Sequence, residues 1–145
     1  MRIFVIAFLC ALILLVPLVA ADYSTWEGVE LDKYASIWII KRFYDKEAEF
    51  RFYPKGTDDL TEISFDTPFG RWKRSGQKTC YAMILDELGI KDGRLLNLGQ
   101  LISEIEIARW ASNPSQDALH LEDSFFQAVT KEMSDASRLK SALSF

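Results

Sequence analysis

Residues 31–53, LDKYASIWIIKRFYDKEAEFRFY, change period midway, and no single element accommodates both halves. From Asp32 onward, Tyr34, Ile37, Trp38, Ile40, Phe43 and Tyr44 recur at helical spacing, while Lys33, Lys41 and Arg42 stay off that face. Asp32 is expected at the N-cap, its carboxylate accepting N–H groups of the first turn, an interaction worth about 1 kcal/mol. Lys41 and Arg42 fall in the last turn, where the helix dipole favours positive charge. In Ala48-Glu49-Phe50-Arg51-Phe52 apolar residues alternate with charged ones, the pattern of a half-buried strand, and Pro54-Lys55-Gly56 ends it. A helix feeding into such a strand demands a layered fold, helix against sheet.

The remaining sequence supplies matching parts. Ile63-Ser64-Phe65-Asp66 reads as a second short strand closed by Thr67-Pro68, and the basic segment RWKRSGQK (71–78) follows. An amphipathic helix is expected from Tyr81 to Leu88, ended by Gly89, and a longer one from Leu95 to Trp110, stopped by Asn113-Pro114. Asp117 caps a last helix through Phe125, Phe126 and Val129; from Ser134 the chain is polar and expected to be loosely held. The expected class is α+β: a small β-sheet packed with several helices in a single domain.

The first 21 residues stand apart. MRIFVIAFLCALILLVPLVAA has one charge, Arg2, a continuous apolar run, and a small-residue end at Val19-Ala20-Ala21, the layout of a secretory signal peptide. The run from Ile3 to Leu15 is shorter than the ~20 residues a membrane span needs, so no stable span is expected after cleavage; a retained anchor is the alternative. The expected organisation is a signal peptide over 1–21, a domain over 22–133 and a polar tail over 134–145, with the mature protein periplasmic or secreted.

Charge and cysteine content narrow the function classes. The chain has 17 Lys and Arg, one of them Arg2, against 21 Asp and Glu, a balance that argues against nucleic acid as a partner. Residues 41–78 carry nine bases and seven acids, whereas 79–145 carry six and ten, so an anion site belongs in the first of these regions. Without the leader only Cys80 remains, which leaves no intramolecular disulfide. His120 is the single histidine, so a zinc site of the His/Cys type is not expected and no metal ligands are assigned. Glu104 and Glu106 lie two apart, roughly 200° around a helix, and cannot both ligate one ion there. No phosphate-binding loop or nucleotide fingerprint is present, and the cofactor is left unknown.

The stretch Asp32-Lys33-Tyr34-Ala35-Ser36-Ile37-Trp38-Ile39-Ile40-Lys41-Arg42-Phe43 resembles the signature of the chromate-resistance exported protein family, whose domain forms the C-terminal part of chromate-resistance regulators. In that family the segment typically runs Asp-Arg-Ile-Ala-Ser-x-Trp-Leu-Ile-Arg-Arg-Phe and leads into a strand. The similarity continues through Asp45, Glu49-Phe50-Arg51-Phe52, Ile63-Ser64-Phe65-Asp66 and the Gly76 region, and fades across 93–145. Members often carry a His two residues before the glycine equivalent to Gly76 and a Cys three after it; here those places hold Arg74 and Thr79, with Cys80 one place late. A His-Asp-x-Asp run in the penultimate helix of relatives corresponds to Ser103-Glu104-Ile105-Glu106.

The resemblance implies a role connected with chromate, and the residues offer three ways to serve it. In the first, the protein binds an oxyanion such as chromate or sulfate, or a small ligand. Arg42, Arg71, Lys73 and Arg74 would then be anion contacts, with Asp32 and Asp66 orienting them at the strand ends. In the second it is a thiol- or metal-dependent redox enzyme, with Cys80 as the catalytic group, its thiolate favoured by Lys78 and a helix N-terminus. In the third it is a module for an unidentified protein partner, and the basic run is solvated surface.

Overall fold

The computed structural model describes residues 22–144; the expected signal peptide lies outside the described residues. The elements run β1 (Asp22–Trp26), α1 (Leu31–Ile39), β2 (Glu49–Tyr53), β3 (Ile63–Ser64), α2 (Cys80–Leu88), α3 (Gly93–Glu106), α4 (Gln116–Ala128) and α5 (Asp135–Leu143). The α+β class expected from the sequence is what the chain forms.

The sheet has three strands in the order β2-β1-β3, all parallel, with Tyr23 beside Phe50 and Ile63. β1, the central strand, falls in a stretch assigned no element from the sequence. α1 is the crossover that parallel β1 and β2 require. In β2, Phe50 and Phe52 share one face: Phe50 packs on Tyr23 and Phe65, and Phe52 stacks on Tyr34 of α1. Glu49 and Arg51 point out, as the alternation predicted.

α1 does not end at Ile39. It widens into a π-helical turn, Ile40–Tyr44, in which Asp45 N donates to Ile40 O at 2.8 Å, five residues back. Lys41, Arg42 and Phe43 ride on this turn, and such turns occur often at functional sites.

The core joins Tyr23, Tyr34, Ile37, Phe65, Trp72 and Ile84, all almost fully buried. Trp72 donates its Nε1–H to Glu87 Oε2 at 2.6 Å and packs against Tyr23 and Tyr44. α2 starts at the Thr79 cap, which accepts from Ala82 N, and stops at Gly89 in the left-handed region (φ 63°). α3 ends at Glu106, short of the expected Trp110; a 3-10 turn over Ala108–Trp110 replaces its last turn. α4 is capped by Ser115 rather than Asp117, which sits in its first turn. The segment expected as a loose tail is α5, capped by Ser134 and packed against α1, with Ala142 buried. Among the described residues, no helix is long and apolar enough to cross a membrane.

Candidate functional site

Parallel strands leave their C-terminal ends open on one side of the sheet. From β1 the chain moves to one side for β2 and to the other for β3, and such a reversal is where parallel sheets place ligand sites. Glu30, Asp32 and Lys33 come from the segment after β1, and Asp66 from the one after β3. Arg74 meets them there. Its Nη2 donates to Glu30 Oε2 at 2.6 Å and its Nη1 to Glu106 Oε2 at 2.7 Å. Asp32 Oδ2 lies 3.6 Å from its Nε, and Asp66 Oδ1 3.6 Å from its Nη2. Lys33 Nζ sits 3.5 Å from Glu30 Oε1 and 3.9 Å from Asp66 Oδ2, with 1 % of its side chain exposed.

Asp32 corrects the sequence expectation. Glu30 occupies the N-cap position of α1, and Asp32 lies inside the first turn. Its carboxylate caps another helix, accepting from Cys80 N at 2.8 Å and Tyr81 N at 2.9 Å at the start of α2. Burial raises its pKa, opposed by those two N–H groups and by Arg74. Asp66 is the one non-glycine with positive φ among the described residues (φ 50°), and its Oδ2 has no hydrogen-bond partner there. Burial first, then the charges of Asp32 and Glu30, push its pKa up to about 7 against the pull of Lys33 and Arg74.

Four carboxylates against two cations make this cluster acidic, and Arg74 fills its centre. An entering oxyanion would meet excess negative charge. Cys80 lies beneath it, fully buried, its Sγ donating to Trp72 O at 3.4 Å. Burial and the charges of Asp32 and Asp66 raise its pKa well above the usual thiol value, the opposite of what thiolate chemistry needs. Glu104 and Glu106 diverge as helix geometry requires: Glu104 Oε2 accepts from Ser115 N, while Glu106 faces Arg74. Among the described residues, no group of three or more His, Cys, Asp or Glu is arranged to hold a metal ion.

The 71–78 loop is not the open anion cradle expected from its composition. Arg71 pairs with Glu87 and lies over the Tyr44 and Trp72 rings, Lys78 pairs with Asp86, and Arg74 is held as described. Lys73 alone of the loop's cations is exposed with no ion pair among the described residues. Nor does Arg42 converge on Asp66, as expected. It stands on the π turn with its guanidinium 5.9 Å from the centre of the Trp38 ring. There Trp38, Lys41, Arg42, Phe43, Lys46 and Leu143 line a cleft of about 580 Å³, with no carboxylate on it among the described residues. Lys41 is steadied by donating to Ala48 O at 2.9 Å.

The structure thus brings together Asp32, Asp66, Arg74 and Cys80, and places Arg42, Arg71 and Lys73 elsewhere. Sequence reasoning missed Glu30, Lys33 and Glu106 in the cluster and Lys46 in the cleft. Lys46 was within reach, since it falls four residues after Arg42 across the helix end.

Fold and charge layout define a small α+β domain with a parallel sheet, its strand-end crevice closed by an internal ion cluster and a basic cleft left open at the far end of α1, where β2 begins. The chain belongs to the family of the ChrB C-terminal domain, whose model matches residues 23–145 and ties it to chromate resistance. Compared with curated proteins and with solved structures, the chain finds no significant match in either.

Proposed function

We propose that this protein serves chromate resistance as an exported binding protein for an oxyanion, with Arg42, Lys41 and Lys46 as its contacts. The observation that carries this is the charge of the cleft: among the described residues three cations line it and no acid does, whereas the cations at the strand ends are already neutralised. Guanidinium and ammonium donors suit a tetrahedral anion, and the half-buried Trp38 indole supplies a less polar wall that strengthens such contacts. Export rests on the leader-like sequence of residues 1–21. A thiol mechanism finds no support in the setting of Cys80, which is buried and without a second cysteine in the described chain.

Titration of the purified protein with chromate, sulfate and phosphate, read by calorimetry and thermal shift, tests this function. We expect saturable binding that weakens at least tenfold in Arg42→Ala and is unchanged in Lys73→Ala. Absence of saturation at millimolar anion, or equal binding by Arg42→Ala, would rule it out.

A further inference from the structure

We infer that the anion bound in the Arg42 cleft carries an apolar tail, housed in a second hollow that adjoins the cleft. This inference rests on the cleft being an anion site.

The second hollow holds about 290 Å³ and is walled by Leu31, Ala35 and Trp38 of α1, Leu98 of α3, Phe125 of α4 and Ala142 of α5. It is a half-open groove rather than an enclosed void, with the exposed Ser124 on its lining. An apolar hollow of ~150 Å³ stays dry and takes up benzene. This one is about twice that size and approaches the lower range of small-molecule sites, near ~300 Å³.

Position supplies the ligand's chemistry. Trp38 lines both hollows, and the consecutive residues Ala142 and Leu143 of α5 line one each. The hollow that Trp38 shares with Leu98 and Phe125 is almost wholly apolar, with Tyr34 and Ser124 its hydroxyl-bearing residues, whereas the cleft that it shares with Leu143 carries Lys41, Arg42 and Lys46. A bare inorganic anion would use only the basic half and leave the apolar half empty. A neutral hydrocarbon would leave three cations unanswered. The molecule that satisfies both is a small amphipathic anion: a carboxylate, sulfate or sulfonate head on a short alkyl or aryl body.

Calorimetric titration of the full chain with sodium sulfate and with butyl, hexyl and octyl sulfate below micelle formation tests this. Each methylene buried in the hollow should tighten binding about fourfold, from ~0.8 kcal/mol per CH₂, until the hollow is full. Ala35→Leu, which narrows the hollow, should flatten the chain-length dependence and leave inorganic sulfate binding unchanged. Leu98→Phe serves the same purpose if the first variant fails to fold by circular dichroism. Arg42→Ala should weaken the whole series alike, and octyl glucoside should bind far more weakly than octyl sulfate. Sulfate binding with no gain along the series overturns the tail site and leaves the anion site standing; no binding by any member ends both. A gain that survives both hollow-filling variants, or equal binding of octyl glucoside, also overturns the inference. So does concentration-dependent dimerisation in sedimentation that these variants abolish, because a second copy would then be the occupant.

Discussion

Asp66 combines a left-handed backbone, a side chain only 4 % exposed, and a carboxylate oxygen with no donor among the described residues. Aspartate tolerates positive φ better than most residues, so the backbone cost is modest and the charge dominates. Its pKa, about 7 when folded, lies above the 3.8 of a free aspartate, so the folded state holds the proton more tightly. The stability this confers is complete below pH ~4 and is lost as pH rises through 7. Asp66→Asn keeps the shape, tolerates the same backbone and removes the titration. Urea denaturation at pH 5, 7 and 8 should show stability falling with pH in the wild type and a flatter profile in the variant, which should be the more stable of the two at pH 8. A wild-type profile that rises over this range would contradict the assignment. Lys33 shows what sequence could not convey here. Helical spacing put it off the apolar face, where a lysine ordinarily meets water, yet it is buried because Glu30 and Asp66 close over it. Asp32 and Asp66 were visible one at a time as residues of interest; their meeting at Arg74 brings α1 onto the segment after β3, far from it in sequence, which no local pattern encodes.

At the scale of elements, legibility followed local punctuation. α2 was bounded at its end by Gly89, and β2 by its alternation and Pro54, whereas the Thr79 cap that starts α2 at Cys80, one residue before the expected Tyr81, was not read. β1 had neither mark: DYSTW is short, mixes polar and aromatic residues, and is buried at Tyr23, Ser24 and Thr25 because neighbours cover both its faces. α5 was hidden by composition, since its packing uses few large apolar residues. Between β3 and α2 the chain turns at 67–70, with Gly70 N donating to Thr67 O and Arg71 N to Ser64 O. A Cβ at Gly70 would lie 3.0 Å from Ser64 O and Thr67 Oγ1 and 3.1 Å from Phe65 Cα. The backbone must therefore shift to admit any side chain, and Gly70→Ala should cost roughly 1–3 kcal/mol. The loss should appear in denaturation curves and as faster amide exchange at Asp66, whose N–H bonds Trp72 O. Gly76→Ala, with nothing within 4 Å of the new methyl, is the matched control and should change stability little.

For the molecule as a whole, one side chain joins most of the parts. Arg74 links its loop to α1 through Asp32, to the residue before α1 through Glu30, to the end of the sheet through Asp66, and to α3 through Glu106. By filling the strand-end crevice it closes the place where a parallel sheet would ordinarily receive a ligand, and the open basic surface lies instead at the π turn. Removing the guanidinium leaves four carboxylates facing one lysine, and breaking one side of a buried ionic cluster costs about 3–5 kcal/mol. Glu30 is 39 % exposed and contributes little of this, so the loss should come chiefly from Asp32, Asp66 and Glu106. Arg74→Met should therefore be strongly destabilised, more so at pH 8 than at pH 5, where protonation of Asp66 relieves the repulsion. Adding Glu106→Gln should recover part of the loss, a coupling that denaturation of both single variants and the double variant measures directly. Strict additivity would mean that the cluster is a set of separate contacts, and the account of Arg74 as the common tie would fail.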